Sequence, residues 1–368
     1  MKTIARIASI NLAVFLTALI VAELIFGSWI FGPYYGRMNL PRNVSRLLEV
    51  SQFVPGNQLV CYTRDAYGLR RDYRGNLARI DALAIGGLTT DERYVTDGET
   101  RVAQLQEQFR AHGRPFTLAN AAIDGQSSLG DINTLTHWLQ KIPGLRPKHL
   151  LFYVGINDVA LDDATPMQFD QIASPSRRRQ ISQFVMNQSA LYHLYRTVLG
   201  TIRAERAQLI HGQLTRNVAQ WLPIHVRCDI EDTRRENADF LTAYRERLRI
   251  LVELSRRLGA EPIFTTQTRG DYKEEDGQSF VLKMVRDGHQ PSATSDEAEL
   301  KFRHFNETTL AVCAELKLTC VDLATKIDFA EEDFYDAIHT TPKGSKKIAE
   351  FLYDALADKI KLSRRVGS

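Results

Sequence analysis

Cysteine is scarce in this chain, which has four in 368 residues: Cys61, Cys228, Cys313 and Cys320. None of them forms a CxxC pair or another zinc-ligand spacing, which argues against a metal site. Cys313 falls on a predicted helix and Cys320 on the strand predicted after it. In an oxidising compartment these two are the favoured disulfide pair, and buried free thiols are the alternative.

Neither sign of charge dominates the chain. Lys and Arg number 47 and Asp and Glu 44, which leaves a formal net charge of +3. Such a weak balance argues against a nucleic-acid-binding protein. The densest basic run is SRRRQ at residues 176–180, for which a solvated helix start and a site for phosphate or lipid headgroups are the two interpretations. Internal repeats and low-complexity blocks are also missing.

One long hydrophobic run is present, at the N-terminus. Residues 7–22 carry no charge, and the apolar character resumes after Glu23 as far as Phe31. A stretch of about 20 apolar residues can span a bilayer as a helix. Aromatic residues follow it, as expected at a membrane interface. We therefore predict a membrane anchor through residues 7–31, with the bulk of the chain outside the cytoplasm (periplasmic). A cleaved signal peptide is the alternative.

Beyond the anchor, short apolar strands alternate with helical patterns. This alternation predicts βαβ units, and hence an α/β fold with helices on both faces of a mainly parallel sheet. We expect a three-layer, doubly wound (flavodoxin-like) arrangement of about five strands, preceded by one transmembrane helix. The predicted strands are Ile80–Ile85, Phe116–Ala119, His149–Val154, Pro262–Thr266 and Thr319–Leu323. The predicted helices are Thr100–His112, Asp131–Gln140, Asn237–Leu258, Asn306–Leu316 and Lys343–Lys359.

The same pass along the chain divides it into segments. Residues 1–32 are the predicted anchor, and residues 33–79 a connector in which prolines and a glycine interrupt any long helix. Residues 80–360 are the predicted α/β domain. Within it, residues 160–236 form a helical insertion. Residues 270–300 are polar and glycine-containing, which predicts a long loop of the kind that often covers a binding site.

Polar, glycine-containing stretches lie where a parallel sheet binds its ligands, beyond the carboxyl ends of its strands. The first three predicted strands are followed by GGLTTDE at 86–92, NAAIDGQSS at 120–128 and GIND at 155–158. A fourth stretch, DAIHTTPKG at 336–344, opens the last predicted helix. Together these stretches resemble the four sequence blocks of the SGNH (GDSL-like) hydrolase family, in the family's order. The match departs at Ala122, where the second block commonly has a glycine.

The resemblance implies an esterase-type catalytic site. His339 would be the general base and Asp336 its orienting partner, which fixes the imidazole tautomer and stabilises the imidazolium. The backbone N–H of Gly125, the side-chain amide of Asn157 and the backbone N–H of residue 88 would stabilise an oxyanion. No cofactor is implied. Taken singly, each of these residues also has a purely structural interpretation as a surface pair, a turn glycine or a turn-capping asparagine.

Leu88 is the main departure from the family pattern. The resemblance places the nucleophilic serine at this position, and leucine has no lone pair with which to attack an acyl carbon. Thr89 offers a hydroxyl one residue later, but on a helix it points about 100° away. Ser127 and Ser128 lie in GQSSLG, which is not a G-x-S-x-G nucleophile elbow.

Three interpretations follow for function. The first is an SGNH-type ester hydrolase or acyltransferase lineage, acting on O-acyl groups of an envelope polysaccharide and severely impaired or inactive because Leu88 replaces the nucleophile. The second is a non-catalytic binding or scaffold protein that uses the same cleft, with an acylated carbohydrate or other small ester as ligand. The third is a doubly wound binding module whose motif matches are coincidental.

Overall fold

A computed structural model gives the architecture of the chain. The structure describes residues 2–27, 29–30, 40–51, 59–70, 73, 76–159, 161, 177–192, 194–195, 198–199, 220–223, 230–275, 278–283 and 296–360. The chain divides into two compact units. One comprises residues 1–39 and 172–212, and the other residues 40–171 and 213–368.

A five-stranded sheet forms the centre of the second unit. Its order is β10-β7-β5-β3-β4, and every neighbouring pair is parallel. The strands are β3 (Ala82–Gly86), β4 (Leu118–Asn120), β5 (His149–Tyr153), β7 (Glu261–Thr265) and β10 (Thr319–Val321). All five predicted strands are present, with bounds shifted by one or two residues. The predicted α/β class with a mainly parallel sheet of about five strands is confirmed.

Helices cover both faces of this sheet. They are α2 (Leu88–Asp91), α3 (Arg101–Ala111), α4 (Ser128–Asn133), α6 (Ile230–Glu236), α7 (Ala238–Arg257), α8 (Asp296–Leu316) and α9 (Pro342–Leu356). The apolar residues of α3 and α9 pack on one face, in a cluster that includes Phe109, Leu151 and Leu352. Tyr244 of α7 and Phe305 of α8 contact each other with ring centroids 4.8 Å apart. The α8 helix begins ten residues earlier than the sequence pattern indicates.

The connector predicted at residues 33–79 contains an antiparallel hairpin. Its strands, β1 (Val44–Glu49) and β2 (Leu59–Arg64), pair from Val44 opposite Arg64 to Glu49 opposite Leu59. The backbone then reaches the edge of the central sheet, where the N–H of Arg70 donates to the carbonyl of Asn120 at 2.9 Å. The hairpin therefore continues into contacts with the α/β unit.

The prediction of a loop over residues 270–300 was wrong for its first half. Strands β8 (Tyr272–Glu275) and β9 (Gln278–Lys283) pair antiparallel, and β9 also pairs with β6 (Gln220–Pro223). The third strand comes from the segment predicted as a helical insertion, of which residues 162–176 and 201–219 lie outside the described residues. The β6 and β9 strands are more than fifty residues apart, so their pairing gives no local sequence signal. The β8 and β9 strands are separated in the sequence only by Asp-Gly at 276–277, a hairpin signal that the sequence analysis missed.

The first unit contains two described helices, α1 (Lys2–Phe26) and α5 (Arg177–Gln188), followed by helical residues at 190–192. Helix α1 is long and apolar enough to span a membrane or to act as a signal anchor. In the second unit, Cys313 and Cys320 form a disulfide with Cα atoms 6.1 Å apart, whereas Cys61 is a free thiol. Cys228 lies outside the described residues.

Candidate active site

Two glycines at the end of β3 allow the first loop to pack closely against its neighbours. Gly86 has φ +154°, and a Cβ there would lie 2.6 Å from both the Thr90 hydroxyl and the Tyr153 carbonyl oxygen. A Cβ on Gly87 would lie 2.3 Å from Nδ2 of Asn157 and 2.7 Å from the Gln126 carbonyl oxygen. The chain can therefore turn directly from strand into α2, which begins at the buried Leu88.

Asn157 brings the second and third loops together beside Gly87. Its Nδ2 donates to the Gln126 carbonyl at 2.6 Å. Gln126 follows Gly125, whose φ of +75° is in the region that favours glycine. A primary amide carries two hydrogens, so one N–H of Asn157 remains to bind a ligand after the bond to Gln126. The structure thus places Asn157 and the Gly125–Gln126 turn against the backbone that precedes Leu88.

We expect Gly87→Ala to lower the free energy of unfolding by about 1–3 kcal/mol, because the new methyl group overpacks the contact with Asn157. Adding Asn157→Ala removes the amide that the methyl meets, so the double variant should be less destabilised than the sum of the two single variants. Denaturant unfolding of the four proteins in this double-mutant cycle measures the coupling. Strict additivity would show that Gly87 and Asn157 do not meet.

His339 and Asp336 form a hydrogen-bonded pair in the loop before α9. Nδ1 of His339 lies 2.5 Å from Oδ2 of Asp336. The other carboxylate oxygen, Oδ1, accepts from the backbone N–H groups of Ile338 at 2.9 Å and His339 at 2.7 Å. The Tyr335 ring stacks on the imidazole with centroids 5.5 Å apart. These contacts hold the imidazole in a single orientation.

Electrostatics keeps the Asp336 carboxylate charged. Burial acts to raise the pKa of Asp336, but the hydrogen bond and charge of His339, together with the two backbone N–H donors, outweigh burial and leave the pKa below its ordinary value. The neighbouring Tyr335 remains a neutral phenol, since burial first and the Asp336 charge second raise its pKa well above the usual range. At neutral pH the His339 ring is therefore held by an ionised carboxylate.

The loop that carries His339 is joined to the loop that carries Leu88 through Glu92. Oε1 of Glu92 accepts from the hydroxyls of Thr340 at 3.1 Å and Ser345 at 2.5 Å. Its Oε2 accepts from the backbone N–H of Arg101 at 2.7 Å. Thr340 directly follows His339, and Glu92 lies four positions after Leu88. Their bond therefore holds both loops at the carboxyl edge of the sheet. That the imidazole of His339 faces Leu88 and Asn157 stays a prediction.

The start of α9 fixes the same loop from its other side. Thr341 caps the helix by accepting from the N–H of Gly344, and Pro342 occupies the first helical turn, where its missing N–H has no cost. The N–H of Gly270, which follows β7, donates to the Ala337 carbonyl at 2.7 Å. The TTP sequence after His339 is thus a helix start, as the sequence pattern indicates.

The alternative hydroxyls have structural partners. Thr89 Oγ1 accepts from the amide of Gln267 at 3.1 Å, and the same amide donates to the Tyr153 carbonyl at 3.1 Å. Ser127 caps α4, with its hydroxyl accepting from the N–H of Leu129. The hydroxyl of Ser128 donates to the buried Asp158. These bonds give all three hydroxyls a role in holding the loops.

Asp158 and Arg247 form a buried brace that sequence reasoning missed. Asp158 Oδ2 accepts from the Ser128 N–H at 3.0 Å, and Oδ1 lies 3.0 Å from Nη2 of Arg247. Nε of Arg247 donates to the Ser128 hydroxyl at 2.7 Å. Burial raises the pKa of Asp158, and the Arg247 charge and the Ser128 bonds offset this only in part. The brace ties GIND to the start of α4.

A second missed group lies beneath α2. Arg64, at the end of β2, is buried and lies 2.8 Å from the equally buried Asp91. Its guanidinium also donates to the carbonyls of Ala122 at 2.7 Å and Gly68 at 2.6 Å. Burial acts to lower the pKa of Arg64, yet the charge of Asp91 raises it above its ordinary value. The hairpin thereby supports both the first and the second loop.

Arg70 adds further support to the first loop. Its guanidinium donates to the backbone carbonyls of Asp91, Glu92 and Val95, and its Nε lies 2.9 Å from the Asp97 carboxylate. Only DAYGL at residues 65–69 separates the two arginines in the sequence. Nothing local indicated that they are buried.

A narrow cleft lies where the loops after β3, β4 and β5 meet, and neither His339 nor Leu88 is among the described residues that line it. Its lining includes Gly87, Gln126, Tyr153, Asn157, Asp158 and Gln267. In the described part of the chain, no group of three or more His, Cys, Asp or Glu side chains is placed to hold a metal ion. The cleft thus presents amide and backbone groups to a ligand.

No protein-family model matches the chain, and no curated protein matches it. Its fold is similar to a catalytic mutant of an acetylxylan esterase from Geobacillus stearothermophilus, at 14% identity and a TM-score of 0.42 over 77% of this chain and 96% of that one. It is also similar to a psychrotrophic esterase from a Pseudoalteromonas species, at 12% identity and a TM-score of 0.37 over 76% of this chain and 97% of that one. A third similar structure is a GDSL-like lipase from Bacteroides thetaiotaomicron, at 12% identity and a TM-score of 0.36 over 76% of this chain and 89% of that one.

Proposed function

We propose that this chain is an SGNH hydrolase-like protein of the ester hydrolase and acyltransferase lineage in which the nucleophile is missing. The observation that carries the proposal is the His339–Asp336 pair, with Nδ1 and Oδ2 2.5 Å apart, in a loop joined through Glu92 to the helix that begins at Leu88. A base with its orienting carboxylate is the unit that activates a hydroxyl in acyl transfer.

The proposed roles follow from the contacts of each residue. Asp336 binds Nδ1 of His339, which leaves Nε2 as the atom that would take a proton from a nucleophile. The second N–H of Asn157, the N–H of Gly125 and the N–H of residue 88 would donate to the oxyanion that forms as the acyl carbon becomes tetrahedral. Leu88 offers no atom to attack that carbon, so turnover by the chain as it stands is expected near background.

A short acyl group on a carbohydrate is the ligand we propose, as on an O-acylated envelope polysaccharide. The cleft between the loops after β3, β4 and β5 is narrow, which favours a small group. Its amide and backbone donors suit an ester carbonyl. The deciding experiment is hydrolysis of an aryl acetate by the unmodified chain and by Leu88→Ser.

The second candidate is a binding or scaffold protein that holds such a ligand without turnover. Leu88 is the observation that favours it, because a side chain without a lone pair at the nucleophile position has no catalytic use. The two candidates share one cleft and differ in what Leu88→Ser does. Restored turnover supports the hydrolase lineage, whereas a folded but inert variant supports a binding protein.

We further propose that α1 stays attached as an anchor and that the α/β unit lies outside the cytoplasm. The Cys313–Cys320 disulfide supports this side of the membrane, because disulfides persist in oxidising compartments. An alkaline phosphatase fused after Ser368 should be active in whole bacterial cells, and a matched fusion of a fluorescent protein that folds only in the cytoplasm should be dark. An inactive phosphatase fusion together with a fluorescent second fusion would place the α/β unit in the cytoplasm.

A further inference from the structure

Glu23 is an acidic residue near the end of an otherwise apolar helix, and its carboxylate is fully engaged. It accepts from the Ser189 hydroxyl at 2.5 Å and from the backbone N–H groups of Ala190 at 3.0 Å and Leu191 at 3.1 Å. It also accepts from Nε1 of Trp29 at 2.8 Å. Within the first unit, α1 is thus attached to the residues that follow α5.

The contact has the form of a shared helix cap. Ser189 caps the helical residues after it, with its hydroxyl accepting from the N–H of Tyr192 at 3.0 Å. The first N–H groups of a helix have no partner within it. Glu23 supplies that partner from another helix, with a negative charge at the helix N-terminus where it is stabilising. A change at Glu23 would therefore leave several donors unsatisfied at once.

A close backbone approach at Gly27 supports the same attachment. A Cβ at this position would lie 2.9 Å from the carbonyl oxygen of Gln188. The partly covered positions are Leu19, Ala22 and Glu23 on α1 and Gly27 directly after it, which follow one another at helical spacing. The remaining described side chains of α1 are exposed within the unit.

The residues attached to Glu23 carry two exposed apolar faces. On α5, Ile181, Phe184 and Val185 are 59%, 58% and 44% exposed. Their spacing of three and four residues puts them on one face of the helix. After Ser189, Leu194, Tyr195 and Val198 are also more than half exposed. Apolar faces of this kind mark a surface that meets another apolar phase.

We propose that the described residues of the segment 177–199 lie in the interface of the bilayer that α1 is proposed to enter, with both apolar faces against lipid and with Glu23 fixing their depth. The continuity with α1 favours lipid as the occupant, because Glu23 is three residues from the end of the apolar helix at Phe26. Exposed arginines at 177 and 178 begin α5, where they can bind the phosphate groups of lipids. The inference rests on the proposed anchoring by α1 and is independent of position 88.

The test uses the full-length chain in vesicles of phosphatidylcholine and phosphatidylglycerol. Single cysteines labelled with bimane replace Phe184, Leu194 or the exposed Ser182, in a background that carries Cys61→Ser and Cys228→Ser. Nitroxide groups on lipid acyl chains quench only fluorophores that reach lipid, and iodide quenches those in water. We expect lipid quenching at positions 184 and 194 to exceed that at 182 several-fold, with iodide giving the reverse order.

The role of Glu23 is tested by adding Glu23→Ala, with Leu24→Ala as the matched control. Leu24 is exposed on the same turn of α1, so its loss should leave the quenching pattern unchanged. Glu23→Ala should reduce lipid quenching at position 194. If iodide quenches the labels at positions 184 and 194 more strongly than the lipid nitroxides do, these faces are in water. Protection from both quenchers would show that protein covers them. Either result overturns the proposal, as does an unchanged pattern in Glu23→Ala.

Discussion

Leu88→Ser should raise the rate of aryl acetate hydrolysis from near background by about 10³-fold or more. The unmodified chain should release the aryl alcohol scarcely faster than buffer, because an imidazole base has no hydroxyl to deprotonate at the first position of α2. Serine has the smaller side chain, so it fits the site that Leu88 occupies with 8% exposure. Initial rates over a range of ester concentrations give kcat/KM for both proteins.

The size of the expected gain reflects what the chain already contains. The His339–Asp336 pair is formed, and the Asn157 amide lies against Gly87. Groups of this kind act as a unit, so a missing nucleophile removes most of the effect of the others. Supplying the hydroxyl should restore their combined effect and not just its own.

Matched variants separate the hydroxyl from other consequences of the change. Leu88→Ala removes the same bulk without adding a hydroxyl and should stay near background. His339→Ala or Asp336→Ala added to Leu88→Ser should abolish the restored activity. An unmodified chain that turns over robustly, and loses activity in Thr89→Ala, would make Thr89 the nucleophile. A Leu88→Ser variant that folds but is inert across a broad ester panel would favour the binding protein.

The central sheet could be predicted because its strands are continuous apolar runs. His149–Tyr153 and Glu261–Thr265 are buried over nearly their whole length, and such runs between helical patterns indicate a parallel sheet. The loop motifs were predictable for the same reason, since they follow these strands directly. The pairing of His339 with Asp336 was implied by the resemblance to the SGNH family, and the structure places the two side chains in hydrogen-bond contact.

The supports of the site were not predictable, because they join residues far apart in the chain. Gln267 bonds to Thr89 across 178 positions, and Arg247 bonds to Asp158 across 89. Each partner alone is an ordinary polar residue on a helix or after a strand. The hairpin of residues 44–64 was hidden in the same way, since Pro55, Gly56 and its polar residues resemble a connector until pairing is known.

Arg64→Ala should lower the free energy of unfolding by about 3–5 kcal/mol, the range for removing one partner of a buried ion pair. Asp91 would remain as a buried carboxylate, and the carbonyls of Gly68 and Ala122 would lose their donor. The 2% and 0% exposure of the Arg64 and Asp91 side chains excludes water from replacing the guanidinium without rearrangement. Urea unfolding of the full-length chain in detergent, followed by tryptophan fluorescence, measures the change.

Arg110→Ala is the matched control, because Arg110 pairs with Glu107 at 2.6 Å on the exposed side of α3. An exposed pair of this kind contributes about 0.5 kcal/mol or less. A third variant, Arg64→Met with Asp91→Leu, removes both charges and keeps apolar volume, so it should be less destabilised than Arg64→Ala. If Arg64→Ala and Arg110→Ala lower the free energy of unfolding equally, Arg64 is hydrated in solution and the hairpin does not support the loops of the candidate site. If the double variant is the most destabilised of the three, the hydrogen bonds of Arg64 to Ala122, Gly68 and Tyr62 contribute more than the ion pair does.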